Sequence, residues 1–344
     1  MRKDDPMDLL GEIAARIGEA FGAHLRLAPY YLASFAAIAW LLWRLRGRPG
    51  RFLGWLLPRQ IYLHRSHMVD IQVFLLGRLV AATGLFARIT FTAGATLLTL
   101  ALLVSATGGT YDPPPVSPWR MALVTVLMVA VIDFCGYWVH RLHHETAVLW
   151  PFHALHHSAE VMTPVTFYRK HPVYDLLMTL AASLFVGTAQ GAMLFLLVGQ
   201  IDMLTIGGAN AAAVLYTAAI ANFNHSHIWV SYGRRLNHVF MSPAQHQIHH
   251  SCAVEHHDRN YGNVFAVWDW MFGTLYVPER PETLRFGLAD RAGRPIPQPH
   301  PDLRSAMLRP FAESWAVLRG RRAAPRPEPE TPARRKAPGT RAAG

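Results

Sequence analysis

Three pentads with a single spacing constrain this chain more than any other feature. They are His140-Arg-Leu-His143-His144, His153-Ala-Leu-His156-His157 and His246-Gln-Ile-His249-His250, each reading H-x-x-H-H. On a helix, positions i, i+3 and i+4 share one side, a turn apart. Each pentad can therefore aim two or three imidazoles at one point. Of the 19 histidines, 15 fall between His140 and His257. Any fold of this sequence has to gather three such turns around something that binds nitrogen, and neutral imidazole suits iron, zinc, copper and nickel.

The pentads adjoin apolar runs. Ala28–Trp43 is slightly short for a membrane span, which takes roughly 20 residues, but Tyr30, Tyr31, Trp40 and Trp43 suit its interfacial ends. Ile89–Thr107 holds no charge, and Met121–Val139 holds only Asp133. Leu176–Asn224 carries the single charge Asp202 and is long enough for a helical hairpin of two spans, turning near Gly199–Asp202 or Gly207–Gly208. The expectation is an all-α integral membrane protein of about four to five transmembrane helices with a histidine-rich helical cap. An apolar content of 51% against 16% charged residues excludes a disordered chain, and two cysteines, Cys135 and Cys252, exclude a disulfide scaffold.

Charge gives orientation. The Arg44–Arg88 connection carries eight arginines, and the Gly108–Pro118 loop carries no basic residue. The positive-inside rule makes the first cytoplasmic and the second external. Counting spans onward brings both histidine blocks to the cytoplasmic face. Of the net charge of +11, seven units fall within Arg304–Gly344. Without an aromatic-interleaved basic stripe, this reads as a solvated tail and not as a nucleic-acid surface. Three regions follow: 1–88, an N-terminal membrane helix and Arg-rich connection; 89–280, the histidine-box membrane domain; and 281–344, a C-terminal extension with a disordered basic tail from about residue 320.

Nine imidazoles exceed what one zinc uses, whether structural or catalytic. Two metals with four or five imidazoles each use the supply. The pentads hold no carboxylate, and the H-E-x-x-H of a zinc protease fails because Val148 stands where its second histidine would be. Two alternatives are a histidine-rich membrane metal transporter and a zinc-dependent membrane hydrolase. A transporter would put polar ligands at mid-membrane in repeated halves, and no inverted repeat is evident here.

Further motifs surround the boxes: Asn224-His225; Ser242-Pro243 ahead of the last box; Asn260-Tyr261-Gly262-Asn263; and Trp268-Asp269-Trp270-Met271-Phe272-Gly273-Thr274. Together they resemble the fatty acid hydroxylase/sterol desaturase superfamily over roughly Ile89 to Val277. The resemblance implies a non-haem centre of two iron ions on the cytosolic face, and O2-dependent hydroxylation, desaturation or ether cleavage of a lipid. It matches the family's ligands to His140, His144, His153, His156, His157, His225, His246, His249 and His250. His143 is left as an inserted imidazole, and Asn222, His227 and His171 stand open. Asp133, inside a span, is a candidate to orient an imidazole or, equally, to pair with another polar group. Asp258 and Asp269 are candidates for the surroundings of the site or for helix caps, and His238, His256 and His257 for its periphery. Cys135 and Cys252 are expected not to bind metal. His24, His64, His67 and His300 read as ordinary surface residues. No G-x-G-x-x-G opens a βαβ unit and no haem signature is present, so electrons are expected from a separate reductase with a ferredoxin or cytochrome.

Overall fold

The computed structural model describes residues 25–109, 111–112, 114–115, 117–198, 211, 213–290 and 292–320, with 15, 16, 18 and 22. Among them the chain is helix and loop, with isolated β-bridges and no strand. The helices used below are α1 (Pro29–Leu45), α2 (Arg65–Ala82), α3 (Thr92–Ala106), α4 (Pro118–Glu145), α5 (Trp150–His157), α6 (Pro172–Met193), α7 (213–224), α8 (Pro243–His249), α9 (Val267–Met271) and α10 (Leu303–Leu318). Proline opens α1, α4, α5, α6 and α8 in the first turn, where its missing N–H costs nothing and its fixed φ is already helical.

Among the described residues, three helical stretches are long and apolar enough to cross a membrane: Leu85–Ala106, Pro118–Glu145 and Pro172–Val198. The first includes α3, and the others are α4 and the extended α6. The expected count of four to five also used α1, which has 17 residues, and the returning arm of the 176–224 hairpin, of which α7 is the described end. The turn expected in that hairpin, with Asp202, lies outside the described residues. So do His24 and the basic tail beyond residue 320.

Lipid-facing helices lack a hydrophobic drive to associate and pack through small residues. Gly187 and Gly191 of α6, four apart, supply this. A Cβ at Gly187 would stand 2.7 Å from the Thr92 carbonyl oxygen, and one at Gly191 would stand 2.5 Å from that of Thr96. Thr96 Oγ1 also donates to the Gly187 carbonyl at 3.1 Å. On the other side of the molecule α1 packs on α7, with Phe35 and Phe223 ring centroids 4.6 Å apart.

The Arg-rich connection is itself helical over α2, and α2 reaches the histidine region. Arg169, fully buried, binds Asp70 of α2 at 2.8 Å. Arg169 also donates to the Leu155 carbonyl at 2.8 Å, the Ser66 carbonyl at 3.1 Å and Ser158 Oγ at 2.9 Å. Thr166 supplies a second bond to Asp70 at 2.7 Å. A buried pair of this kind is tolerated only when its remaining donors and lone pairs are used, and these partners use them. The C-terminal extension closes the same network. His300 Nδ1 lies 3.0 Å from Ser158 Oγ, and α10 packs Ala306 against Leu155, Val69 and Val73.

The surface assignment of His67 and His300 is therefore corrected. His67 is 5% and His300 1% exposed. His67 Nδ1 meets Thr163 Oγ1 at 3.0 Å. The sequence pattern around each is polar, and only the long-range packing onto Arg169 and its neighbours buries them. His64 is half-buried and caps α2, its Nδ1 accepting from Ser66 N.

Candidate metal centre

All three pentads are helical: at the end of α4, through α5, and at the end of α8. Their imidazoles divide into two buried clusters. His140, His144, His153, His157 and His249 form one; His156, His225, His246 and His250 form the other. Within each cluster one nitrogen per ring lies within 4.8 Å of all the others. The division follows helix geometry. In α5 and α8 the i and i+4 members go to one cluster and the i+3 member crosses to the other. At 3.6 residues per turn, i and i+4 diverge by about 40° around the axis, whereas i+3 and i+4 diverge by about 100°. Thus His153 and His157 enter the five-imidazole cluster while His156 enters the four. His246 and His250 enter the four while His249 enters the five.

The first pentad breaks this symmetry. His140 and His144 enter the five-imidazole cluster, but His143 enters neither. Its Nδ1 donates to the Val139 carbonyl of its own helix at 2.7 Å, and its ring lies against Tyr174 at 4.6 Å. His225, at the end of α7, takes the remaining place. Asn222, His227 and His171 are not in either cluster. Asn222 donates to the Arg26 carbonyl, His227 Nε2 to the Trp55 carbonyl at 2.9 Å, and His171 caps α6 and reaches the Met307 carbonyl. Cys135 and Cys252 are buried and also outside the clusters. His256 pairs with Glu282 at 3.0 Å, and His238 Nδ1 donates to the Arg234 carbonyl.

The outer nitrogens of the five-imidazole cluster are fixed by a loop. His140 Nδ1 lies 2.8 Å from the Tyr261 carbonyl and His249 Nδ1 2.7 Å from that of Arg259. A carbonyl only accepts, so both Nδ1 atoms carry protons and both Nε2 lone pairs face inward. His144 Nδ1 stands 3.6 Å from Asp258. Asp258 and Asn260 adopt positive φ, 56° and 59°, a conformation that short polar side chains accept better than others. They flank Arg259, whose carbonyl, with that of Tyr261, faces the imidazoles.

Two buried aspartates hold that loop. Asp269 accepts from Tyr261 N and Gly262 N, both at 2.8 Å, and from Thr274 Oγ1 at 2.6 Å. Burial pushes its carboxyl up to about 6. A Cβ at Gly262 would stand 3.0 Å from this carboxylate, so glycine lets the backbone approach it. Asp133 accepts from Val264 N and Phe265 N at 2.9 Å and from Trp268 Nε1 at 3.0 Å. Asp133 thus grips the loop backbone and not an imidazole, the second of its two expected roles. The loop offers this buried carboxylate two backbone N–H groups and an indole N–H at once, and no lone imidazole offers as many.

The donor set fits metal ions. Nε2 atoms approach in pairs: His144 to His157 at 3.0 Å, His157 to His153 at 3.2 Å, His156 to His225 at 3.1 Å and His225 to His246 at 3.0 Å. Buried Nε2 of His140, His249 and His250 has no hydrogen-bond partner. Lone pairs converging in a dry site are costly unless a cation or proton lies among them. A proton is disfavoured: burial holds His153, His156, His157, His225, His246 and His250 well below the ordinary imidazole range, and His249 at about 4. No carboxylate belongs to either cluster. A cavity of about 40 Å³ lies over the five-imidazole cluster, walled by Trp150, Ser251, His257 and Asp258.

The model of the fatty acid hydroxylase family matches residues 125–274, which hold all nine clustered imidazoles. Ornithine lipid hydroxylase OlsE of Rhizobium tropici is 31% identical over 180 residues, 51% of this chain and 49% of the relative. Alkylglycerol monooxygenase of Danio rerio is 26% identical over 176 residues, 51% of this chain and 35% of the relative. The Delta(7)-sterol 5(6)-desaturase ERG3A of Gibberella zeae is 28% identical over 183 residues, 52% of this chain and 46% of the relative. The chain thus spans half or less of these relatives' lengths. No solved structure matches.

Proposed function

With residues 125–274 a fatty acid hydroxylase region, we propose that the chain is a membrane oxidoreductase that uses O2 and electrons from a separate donor to hydroxylate or desaturate a lipid. The observation that carries this reading is the pair of buried, carboxylate-free imidazole clusters. Two iron ions are the proposed occupants. His140, His144, His153, His157 and His249 would hold one, and His156, His225, His246 and His250 the other. Bound iron supplies the redox chemistry that side-chain acids and bases cannot perform on an unactivated C–H bond.

The chain's own residues do the rest. The Tyr261 and Arg259 carbonyls fix two imidazole tautomers, so the nitrogens facing the site are unprotonated without waiting for a proton to leave. Burial limits water, and a donor set of neutral imidazoles would leave the charge of bound cations unneutralised by their own ligands and strongly electron-withdrawing. The region 89–280 is the proposed catalytic part, with 1–88 and 281–344 bracing it. Both histidine blocks are proposed to face the cytoplasm, where a reductase with a ferredoxin or cytochrome would reach them.

Metal analysis of the purified chain tests the reading: two irons per chain are expected, and zinc alone would revive the hydrolase alternative. Lipid profiling of a host with and without the gene should show a product heavier by one oxygen or lighter by two hydrogens. For topology, cysteines replacing exposed Glu160 and Glu255 should be labelled only from the cytoplasm, and one replacing Asp112 only from outside. Labelling of positions 160 and 255 from opposite faces would sink a shared site.

A further inference from the structure

A cavity of about 350 Å³ lies between α2 and the start of α6. Its walls are apolar, including Val73, Leu76, Val80 and Met178, but Arg78 and Lys170 also line it. Neither cation has an ion pair among the described residues. Arg78 Nε is buried without a hydrogen-bond partner. Lys170 stands 4.0 Å over the Phe167 ring, and burial lowers its ammonium to about 8. Among the described residues Asp175 is the one carboxylate on the walls, against the two cations Arg78 and Lys170. The cavity adjoins the four-imidazole cluster: Phe167, part of its lining, has its ring centroid 5.8 Å from that of His225. The same ring carries the Arg26 guanidinium at 3.7 Å, so two cations hold it in place.

We propose that this cavity receives the head group of the lipid substrate and that Arg78 and Lys170 bind a phosphate or carboxylate on it, with Phe167 as the wall between head group and His225. The inference rests on the lipid-oxidoreductase reading for the word substrate, but the anion site stands on its own residues. A partly desolvated cation pair that Asp175 balances only in part, above apolar walls, suits an amphiphile better than a free ion. The volume is within the range of ordinary small-ligand pockets.

The test is equilibrium binding to the detergent-solubilised full chain, iron-loaded and metal-free, with dihexanoyl phosphatidic acid, dioctanoylglycerol and inorganic phosphate as probes. Phosphatidic acid should bind at least about tenfold more tightly than either other probe, with or without iron. Arg78→Gln and Lys170→Gln should each weaken it about tenfold or more, while Arg78→Lys keeps most of the affinity. Gly77→Leu gives an independent variant. A Cβ there meets nothing within 4 Å and leucine favours the helix, so binding should be lost with the melting temperature not lowered. Equal affinity for dioctanoylglycerol, equal affinity for phosphate alone, or undiminished binding by folded Arg78→Gln and Gly77→Leu would each overturn the proposal. Binding without any oxidase activity would keep the anion site and sink the enzyme reading; turnover with unaltered binding in the variants would do the reverse.

Discussion

The two imidazole clusters are built from the same pentads yet are held differently. The five-imidazole cluster has Nδ1 of His140 and His249 tied to loop carbonyls, and that loop is gripped in turn by Asp133 and Asp269. In the four-imidazole cluster, Nδ1 of His225 and His246 has no hydrogen-bond partner, and its neighbours include Phe167 and the cavity beyond. One cluster has two rings fixed directly by a hydrogen-bonded loop; in the other the bonds reach the backbone behind the rings, with Gln247 donating to the Phe223 and Ile228 carbonyls on either side of His225, on the side where a substrate would come. The contrast shows that identical spacing in sequence does not confer identical rigidity. What sets rigidity is the element behind each ring.

The strongest way to erase the contrast is to remove what both clusters share. Helix α5 feeds both, and Arg169 holds its C-terminal end. Arg169→Met leaves Asp70 buried without its cation, with Thr166 still donating to it, which should cost about 3–5 kcal/mol. Denaturant unfolding should show this, with metal lost from both clusters together.

Next in size are the crossing histidines. His156→Ala leaves the four-imidazole cluster three imidazoles, whereas His249→Ala leaves the framed cluster four. Turnover should vanish in both. Elemental analysis should find about one iron per chain in His156→Ala and more than that in His249→Ala, because four remaining imidazoles still satisfy a cation. Equal losses would mean that the clusters do not differ in reserve.

A smaller, selective effect is expected from the frame. Asp269→Asn replaces one acceptor oxygen by a donor facing N–H groups. Metal affinity of the framed cluster should fall about 10–100-fold, with the other cluster unchanged in a chelator competition. A parallel fall in both would show that the loop serves the whole site.

An effect that is small near neutral pH and grows on acidification lies at the periphery. Burial, with the nearby Arg169 and Arg309 charges, holds His300 at about 3. Its folded value lies below the unfolded value near 6.5. The stabilisation is therefore intact above pH 6.5 and is lost as pH falls toward 3, by about 1.4 kcal/mol per unit. His300→Asn can keep a donor for Ser158 and cannot titrate. Melting curves of wild type and variant should differ in slope between pH 6.5 and 5; parallel curves would show that His300 is not titrating there.

Much of the site was legible because its signal is local. Spacing within a helix turn identified the three boxes, and counting donors identified two metals' worth of imidazole. The later motifs around Asn260 and Asp269 marked the loop, although not that its carbonyls face the rings. The division of each pentad between clusters needed the placement of α5 against α8, which spacing within one helix does not encode. Arg169 and Asp70 were missed for the same reason: they are 99 residues apart, and neither carries a motif. His300 was misread because a polar neighbourhood in sequence says nothing of what packs over it.

The closure of the Arg169 network by the C-terminal extension bears on how the molecule is made. Asp70 is translated early, the α5 turn and Arg169 later, and His300 and α10 later still. Chains emerge from the N-terminus and domains fold as units in that order. The helix that feeds both clusters thus reaches the membrane before the segment that closes over Ser158 has been synthesised. In this interval Ser158 lacks its His300 partner and Leu155 lacks its cover from Ala306. Biogenesis therefore has a late step, the docking of residues 298–318, and a ribosome stalled before it would leave a membrane-inserted but incompletely braced histidine cap.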